Sequence, residues 1–560
     1  MRLTATARRD ALLGLIAGAI YAVCTLLALP PVSFWFVALA APLPLALLGW
    51  RADRARWKAL GAATGSLPLW VVHHAWMADV TLAGVGPLVI YLACWTGASV
   101  WVLSRVSRVG PWMPPVIGVP TAWVGLEFLR GEVAFEGYAW FLAGHPMIES
   151  SAASRAAGIG GVYFVSWLVV LVSGIVVTRR VGSPAHRRTA VAASVGLVAL
   201  LAAGVLAPTG GPGAKSIRVA ALQTDVPQSN KIAPMREQLV DDLRALLSLA
   251  EEGAAGGAQL LVTPETVLPL GVLDPEALAV IESVYGPGAE PFGDALRAGQ
   301  RSLGVPMLVG CTTPAGLQLE DDGLMPAAVY NSVYLLVGGE PIGPRYDKLR
   351  PTPFGETLPY IQSLPWLRDV VIRIGLGATG MDFGLARGTR PVTFEVPTTD
   401  GPVAVSTPIC FESSMAPTVR RLVLAARDAG TPTELLCVVT NDGWFGSFDA
   451  GREMHLLQAR WRCVEHGLPM IRAANTGVSA VIDGRGRIVT RLDPRQPGVL
   501  IGDIRLGSTT TIYQTIGDSF GIVCVTATLG AVAWAGFAAL RRRRSEQRDA
   551  GQHAGEEPGS

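Results

Sequence analysis

The chain has 560 residues, half of them hydrophobic and only 16% charged, with a formal net charge of +2. That balance is too apolar for an ordinary soluble protein, and a charge so near zero gives nucleic acid no electrostatic footprint. The basic residues sit in short clusters between apolar runs, which is a membrane-topology pattern.

A membrane crossing needs ~20 apolar residues. Runs of that kind occur near 11–30, 33–50, 60–78, 83–103, 112–129, 159–178 and 189–207, and again near 519–540. Arg8-Arg9, the stretch Arg51 to Lys58, Arg105 with Arg108, Arg179 to Arg188, and Arg541 to Arg544 fall on one side of this alternation. The positive-inside rule then predicts about eight crossings with both termini cytoplasmic, the first two alternatively forming a tight hairpin. Residues 208–518 are thereby expected outside the cytoplasm. No small-residue cleavage site follows the first apolar run, so it reads as an uncleaved anchor.

After a short linker, Gly210 to Gly213, the pattern changes. Strands are expected at Ile217–Gln223, Gln259–Thr263, Pro306–Gly310, Asn331–Val337, Val403–Cys410 and Leu435–Thr440. Helices are expected at Met235–Glu252, at Ala295–Leu303 with Asp294 as cap, at Pro417–Ala429 and at Met454–His466. Asp483-Gly484 turns a hairpin. Strands alternating with helices predict an α/β layered domain. The segment Leu358 to Leu385 carries Pro365-Trp366-Leu367 and Val370-Val371-Ile372 among glycines, as an apolar arm that dips into a bilayer or as a buried helix. The polar tail after Arg544 is expected to be disordered.

Three side chains offer chemistry. Cys410 ends an apolar strand where a helix-like run begins, so backbone N–H groups and the helix dipole would favour its thiolate. The alternative is a buried structural cysteine. Glu265 follows Leu260-Leu261-Val262 and a proline, a position suited to a general base or to a solvated loop acid. Only four of the 46 basic residues are lysine. One of them, Lys348, lies in Tyr346-Asp347-Lys348-Leu349, where a compact ammonium stabilises an oxyanion or stands as a surface cation. The seven cysteines show no metal spacing and no disulfide framework, so neither a metal nor a cofactor is implied.

Pro264-Glu265-Thr266, Asp347-Lys348-Leu349 and Ile409-Cys410-Phe411-Glu412 occur in that order, and together they resemble the nitrilase superfamily. Pro353-Phe354-Gly355-Glu356, Asn441-Asp442-Gly443-Trp444-Phe445-Gly446 and Arg472-Ala473-Ala474-Asn475-Thr476-Gly477, flanked by apolar spans, narrow the likeness. So do Glu127-Phe128-Leu129-Arg130-Gly131 and Gly137-Tyr138-Ala139-Trp140. The chain resembles the membrane-embedded branch of that superfamily, the apolipoprotein N-acyltransferases. Asp225 and Phe411 depart from the usual Asn and Tyr of that pattern.

The resemblance implies a nitrilase-like αββα sandwich inserted between the last two of about eight transmembrane helices. The domains would be a bundle at 1–209, a catalytic domain at 210–515, a helix at 516–541 and a cytoplasmic tail at 542–560. It implies acyl transfer in a bacterial plasma membrane through a thioester on Cys410. The donor would be a phospholipid such as phosphatidylethanolamine, and the acceptor the α-amine of a diacylglyceryl-cysteine on an apolipoprotein. Glu265 would be the base, with Lys348 and the Phe411 amide holding the oxyanion. Glu356 and Glu412 would hold Lys348 and orient the thiol or amine, or tie loops together. Trp444 and Phe445 would line the lipid entry or pack in the core.

Overall fold

In the computed structural model, Gly14 and Gly18 on one helix meet Gly61 and Gly65 on another, backbone against backbone. A Cβ on Gly14 would lie 2.2 Å from the Lys58 carbonyl oxygen, and one on Gly61 would lie 2.0 Å from that of Ala11. Two G-x-x-x-G stretches thus bring helix α1 (Ala5–Ala28) onto α3 (Ala55–His74) with no side chain between them. The structure describes residues 4–50, 52–206, 215–228, 235–267, 272–321, 323–373, 384–507 and 510–553. The Gly210 to Gly213 linker and residues 374–383 of the apolar arm lie outside these.

Among the described residues, five helices are long and apolar enough to cross a membrane: Ala5–Ala28, Leu82–Val106, Ala157–Val181, Pro184–Gly204 and Ser519–Gln547. The other three expected crossings look different. The run near 33–50 is a 3-10 turn, Trp35–Leu39, followed by the seven-residue helix α2 (Leu43–Gly49). The run near 60–78 is α3, which opens on Arg56 and Lys58 and contains Pro68. After α4 (Leu82–Val106), the run near 112–129 shortens to the 14-residue α5 (Pro115–Phe128), which begins at a proline pair and ends in a π turn at Leu129–Val133. Helices α6 (Ala157–Val181) and α7 (Pro184–Leu206) complete the N-terminal bundle.

Two sheets follow. The first has the order β13-β1-β2-β3-β4-β5, with β6 also on β4, and the second the order β12-β11-β10-β9-β8-β7. In chain order these strands are β1 (Ser216–Gln223), β2 (Leu260–Val262), β3 (Met307–Glu320), β4 (Gly323–Val337), β5 (Glu340–Pro341) and β6 (Tyr346–Asp347), then β7 (Thr393–Val396), β8 (Val403–Ser406), β9 (Leu435–Thr440), β10 (Met470–Ala474), β11 (Ala480–Ile482), β12 (Ile488–Arg491) and β13 (Gly498–Arg505). Val219, Ala221, Val262 and Leu308 of one sheet share a core with Val405, Val439, Ile471 and Val481 of the other. The alternate residues Ala220, Leu222, Leu261 and Met307 face outward, under Leu243, Leu246 and Leu296 of helices α8 (Arg236–Ala255) and α10 (Pro291–Leu303), between which lies α9 (Pro275–Tyr285). Leu436, Val438 and Met470 likewise sit under Val419 and Leu456 of α12 (Ala416–Asp428) and α13 (Asp449–His466), which follow the short α11 (Pro365–Val371). Period-two alternation with both faces covered explains why these strands read as continuous apolar runs. The domain is an αββα sandwich lying in sequence between α7 and α14 (Ser519–His553).

Local expectations differ at α10 and in the tail. Glu290, not Asp294, caps α10, accepting from Gly293 N at 2.6 Å, while Asp294 pairs with Arg297. Placing Pro291 in the first turn moves the start of the helix upstream. Beyond Arg544, α14 continues as helix to His553, in keeping with Arg, Glu, Gln and Ala as good helix formers, and the rest of the tail lies outside the described residues.

Helix α13 docks the sandwich on the bundle. Trp461 Nε1 donates to the His145 carbonyl at 3.2 Å, and Glu465 accepts from Val162 N at 2.9 Å where α6 breaks at Gly160 and Gly161. Phe445 lies 4.9 Å from the ring of Trp76 and 5.9 Å from that of Trp140.

Candidate active site

Lys348 is 1% exposed, and its ammonium lies 3.1 Å from Glu265 and 2.8 Å from Glu356. Two loops supply the cluster. Glu265 leaves the C-terminal end of β2 after Pro264, Lys348 follows β6, and Glu356 sits in the turn that follows Lys348. The Lys348 amide donates to the Asn331 carbonyl at 2.8 Å, which fixes its backbone beside β4. Burial opposes the ammonium, but the charges of Glu265 and Glu356 outweigh it and hold Lys348 above its ordinary range. Burial alone would raise Glu356. Lys348 and the bonds from Thr352 overcome that and hold it below.

Glu265 is 4% exposed and fully engaged. One oxygen accepts from Asn331 Nδ2 at 2.6 Å as well as from Lys348, and the other accepts from Asn441 N at 2.9 Å. It is therefore not a solvated loop acid. Sequence reasoning did not single out Asn331, which lies mid-strand without a motif. Asn441 belongs to a quoted motif, and its side chain is tied to Gln228 at 2.8 Å and to Asn475 at 3.0 Å.

Cys410 is also buried and takes a φ of 50°, a backbone conformation rare for a residue with a Cβ. The strand stops at Ser406, Ile409 bridges to Val439, and Cys410 opens a five-residue 3-10 turn before α12 begins at Ala416. The thiol thus meets no long-helix N-terminus, and the expected thiolate is corrected. Burial, and then the charge of Glu265, push the Cys410 thiol up, and Lys348 offsets this only in part. Both effects, burial and the Glu265 charge, disfavour the thiolate.

Glu412 sits between the Lys348 and Cys410 loops. Its two oxygens accept from Leu349 N at 2.7 Å, Arg350 N at 3.0 Å, Ile409 N at 2.8 Å and Tyr346 Oη at 2.8 Å. It ties the Lys348 loop to the Cys410 loop. Phe411 packs with Met415 against Ala139 of the membrane region. Phe445 is buried in the aromatic contact between sandwich and bundle, whereas Trp444 is half-buried.

A second buried network lies behind Cys410. Asp442 accepts from Arg472 at 2.7 Å and lies 2.9 Å from His455 Nδ1. Burial alone would raise Asp442, but Arg472 and His455 outweigh it and hold its carboxyl well below the usual range. Asp442 and Arg472 were visible as motif letters, but His455, inside a predicted helix, carried no such signal.

A carbon-nitrogen hydrolase family model matches residues 218–514, and one for the apolipoprotein N-acyltransferase N-terminal domain matches residues 21–175. A relative from Chromobacterium violaceum, named apolipoprotein N-acyltransferase, is 30% identical over 92% of each chain. The chain belongs to the apolipoprotein N-acyltransferase family. Another such N-acyltransferase, from Geobacter metallireducens, is 29% identical over 96% of each chain. An amidase from Nesterenkonia sp. is 19% identical, with a TM-score of 0.36 over 56% of this chain and 96% of its own. The N-acyltransferase family accounts for both halves of the molecule, the apolar bundle and the sandwich docked on it.

Proposed function

We propose that this chain is an acyltransferase of the membrane. It moves a fatty acyl group from a membrane phospholipid to the N-terminal amine of an apolipoprotein, through a thioester on Cys410. The observation that carries this reading is the buried Glu265–Lys348–Glu356 cluster, whose charges act on the Cys410 thiol.

In the first half-reaction Glu265 takes the thiol proton as Cys410 Sγ attacks the acyl ester carbonyl. Glu265 and Glu356 engage two of the three ammonium protons of Lys348. The third, with the Phe411 amide, holds the oxyanion. The ester C–O bond breaks, and the proton on Glu265 passes to the lysophospholipid oxygen. In the second half-reaction the α-amine of diacylglyceryl-cysteine attacks the thioester, the C–N bond forms and the C–S bond breaks. Glu265 carries the amine proton back to sulfur. Phosphatidylethanolamine is the donor of choice in this reading. The sandwich, residues 210–515, faces away from the cytoplasm, and both termini lie inside.

Both substrates are lipid-anchored, and an enzyme bedded on apolar helices avoids extracting either at ~0.8 kcal/mol per CH₂. The test is acyl transfer from phosphatidylethanolamine vesicles to a diacylated lipopeptide by the purified chain. Lipopeptide N-acylation, with a hydroxylamine-labile acyl mass on Cys410, is expected. Free fatty acid without N-acylation would make it a hydrolase, and undiminished transfer by Cys410→Ala would remove Cys410 from the chemistry.

A further inference from the structure

His455 sits directly behind the nucleophile loop. Its Nε2 lies 3.2 Å from the Cys410 carbonyl oxygen and 3.3 Å from Ser413 Oγ. The Ser413 hydroxyl donates its own hydrogen to that same carbonyl at 2.7 Å. Nε2 therefore faces two lone pairs, and it must carry a hydrogen. On the opposite side Nδ1 lies 2.9 Å from Asp442 and 3.1 Å from Arg472 Nη2, and the Trp140 ring stacks on the imidazole at 5.9 Å. Cys410, Ser413, Asp442, His455 and Arg472 are all buried, so the ring is held on every side.

The Cys410 carbonyl and the Phe411 N–H belong to one peptide unit. We propose that Asp442 and His455 act on catalysis through this peptide: the Nε2–H bond to the Cys410 carbonyl fixes the peptide plane and polarises it, strengthening the Phe411 N–H toward the oxyanion. A hydrogen bond accepted at one end of an amide strengthens the bond donated at the other. His455 is a positioning residue and touches no substrate. The same bond, with that from Ser413, holds Cys410 in its left-handed conformation. The inference rests on the reading of Cys410 as nucleophile and the Phe411 amide as oxyanion donor.

Two reactions of Cys410 in the full-length protein separate this role from plain packing. Alkylation by iodoacetamide needs the sulfur but forms no oxyanion, whereas acylation by a p-nitrophenyl fatty ester forms one. His455→Phe keeps the stack on Trp140 and removes the donor. Its acylation rate should fall about 10- to 100-fold, since the oxyanion donor is weakened and not removed, while alkylation stays within about two-fold. His455→Gln, which restores a donor at similar reach, should recover most of the loss. Ser413→Ala removes the other donor to that carbonyl without repacking a ring, and should give a smaller loss with the same selectivity. It decides the matter if His455→Phe does not fold.

Acylation and alkylation falling together in these variants, or acylation unchanged in them, would overturn the inference. Wild-type protein alkylated at Cys410 but not acylated there would overturn the underlying site reading instead.

Discussion

The carboxylate of Glu412 holds the backbone amide of Leu349 at 2.7 Å, and so locks the loop bearing Lys348 to the loop bearing Cys410. Burial raises this carboxyl from 4.5 to about 7, its bonds to Ile409, Arg350 and Tyr346 offsetting only part of the shift. An acid raised on folding contributes stability that is fully present below its unfolded pKa and is lost as pH rises through the folded one. The melting temperature should therefore fall between pH 4.5 and just above 7. Glu412→Gln should flatten that fall, leaving the part due to Glu465, which is likewise raised to about 7. At pH 8 the variant should also melt several degrees lower, because an NH₂ then faces backbone donors at a cost of about 1–3 kcal/mol. Thermal melts of both proteins across this range check the sign.

Glu265 should affect alkylation and acyl transfer in opposite directions. Its charge helps to keep Cys410 protonated, so Glu265→Gln should increase the thiolate fraction and speed alkylation by iodoacetamide at pH 8. The same change removes the base, and acyl transfer should drop by about 10²–10⁴. In the wild type, alkylation should climb steadily from pH 7 to 9 without a plateau. Parallel loss of both reactions in Glu265→Gln would contradict this.

Lys348 should not be replaceable by arginine. The ammonium occupies a site with 1% exposure between two carboxylates, and a planar guanidinium needs a wider fork. Lys348→Arg and Lys348→Met should both reduce kcat about 10²- to 10³-fold, with little change in KM for the lipopeptide. Steady-state kinetics on the two variants settle this.

Phe445 should matter first for the joint between the two halves. Its ring is wedged among Trp76, Trp140 and His455, and truncating such a side chain costs about 3–5 kcal/mol. Phe445→Ala should lower the melting temperature in detergent, and limited proteolysis should cut between bundle and sandwich sooner. An unchanged melt would place Phe445 outside the packed joint.

The sequence was most legible where chemistry and periodicity coincide. Leu435–Thr440 was predicted to the residue, and Glu265, Lys348, Glu356 and Cys410 fell to motifs whose spacing in the chain hides their closeness in space. What was missed is tertiary. Asn331 lies mid-strand and His455 mid-helix, and neither is distinguished from a core residue until the loops close over them. The Gly14/Gly18 and Gly61/Gly65 pairs were readable but belong to a helix contact that hydropathy does not see. Hydropathy also overstated the runs near 33–50 and 112–129, because apolar composition says nothing of the prolines that cut a helix short.

Strands β1 and β13 are antiparallel neighbours, Ser216 opposite Arg505. The sandwich therefore enters and leaves along one edge, with its first and last strands side by side. A unit whose two ends emerge together can be spliced into a loop between membrane helices as one cassette, without rethreading either part.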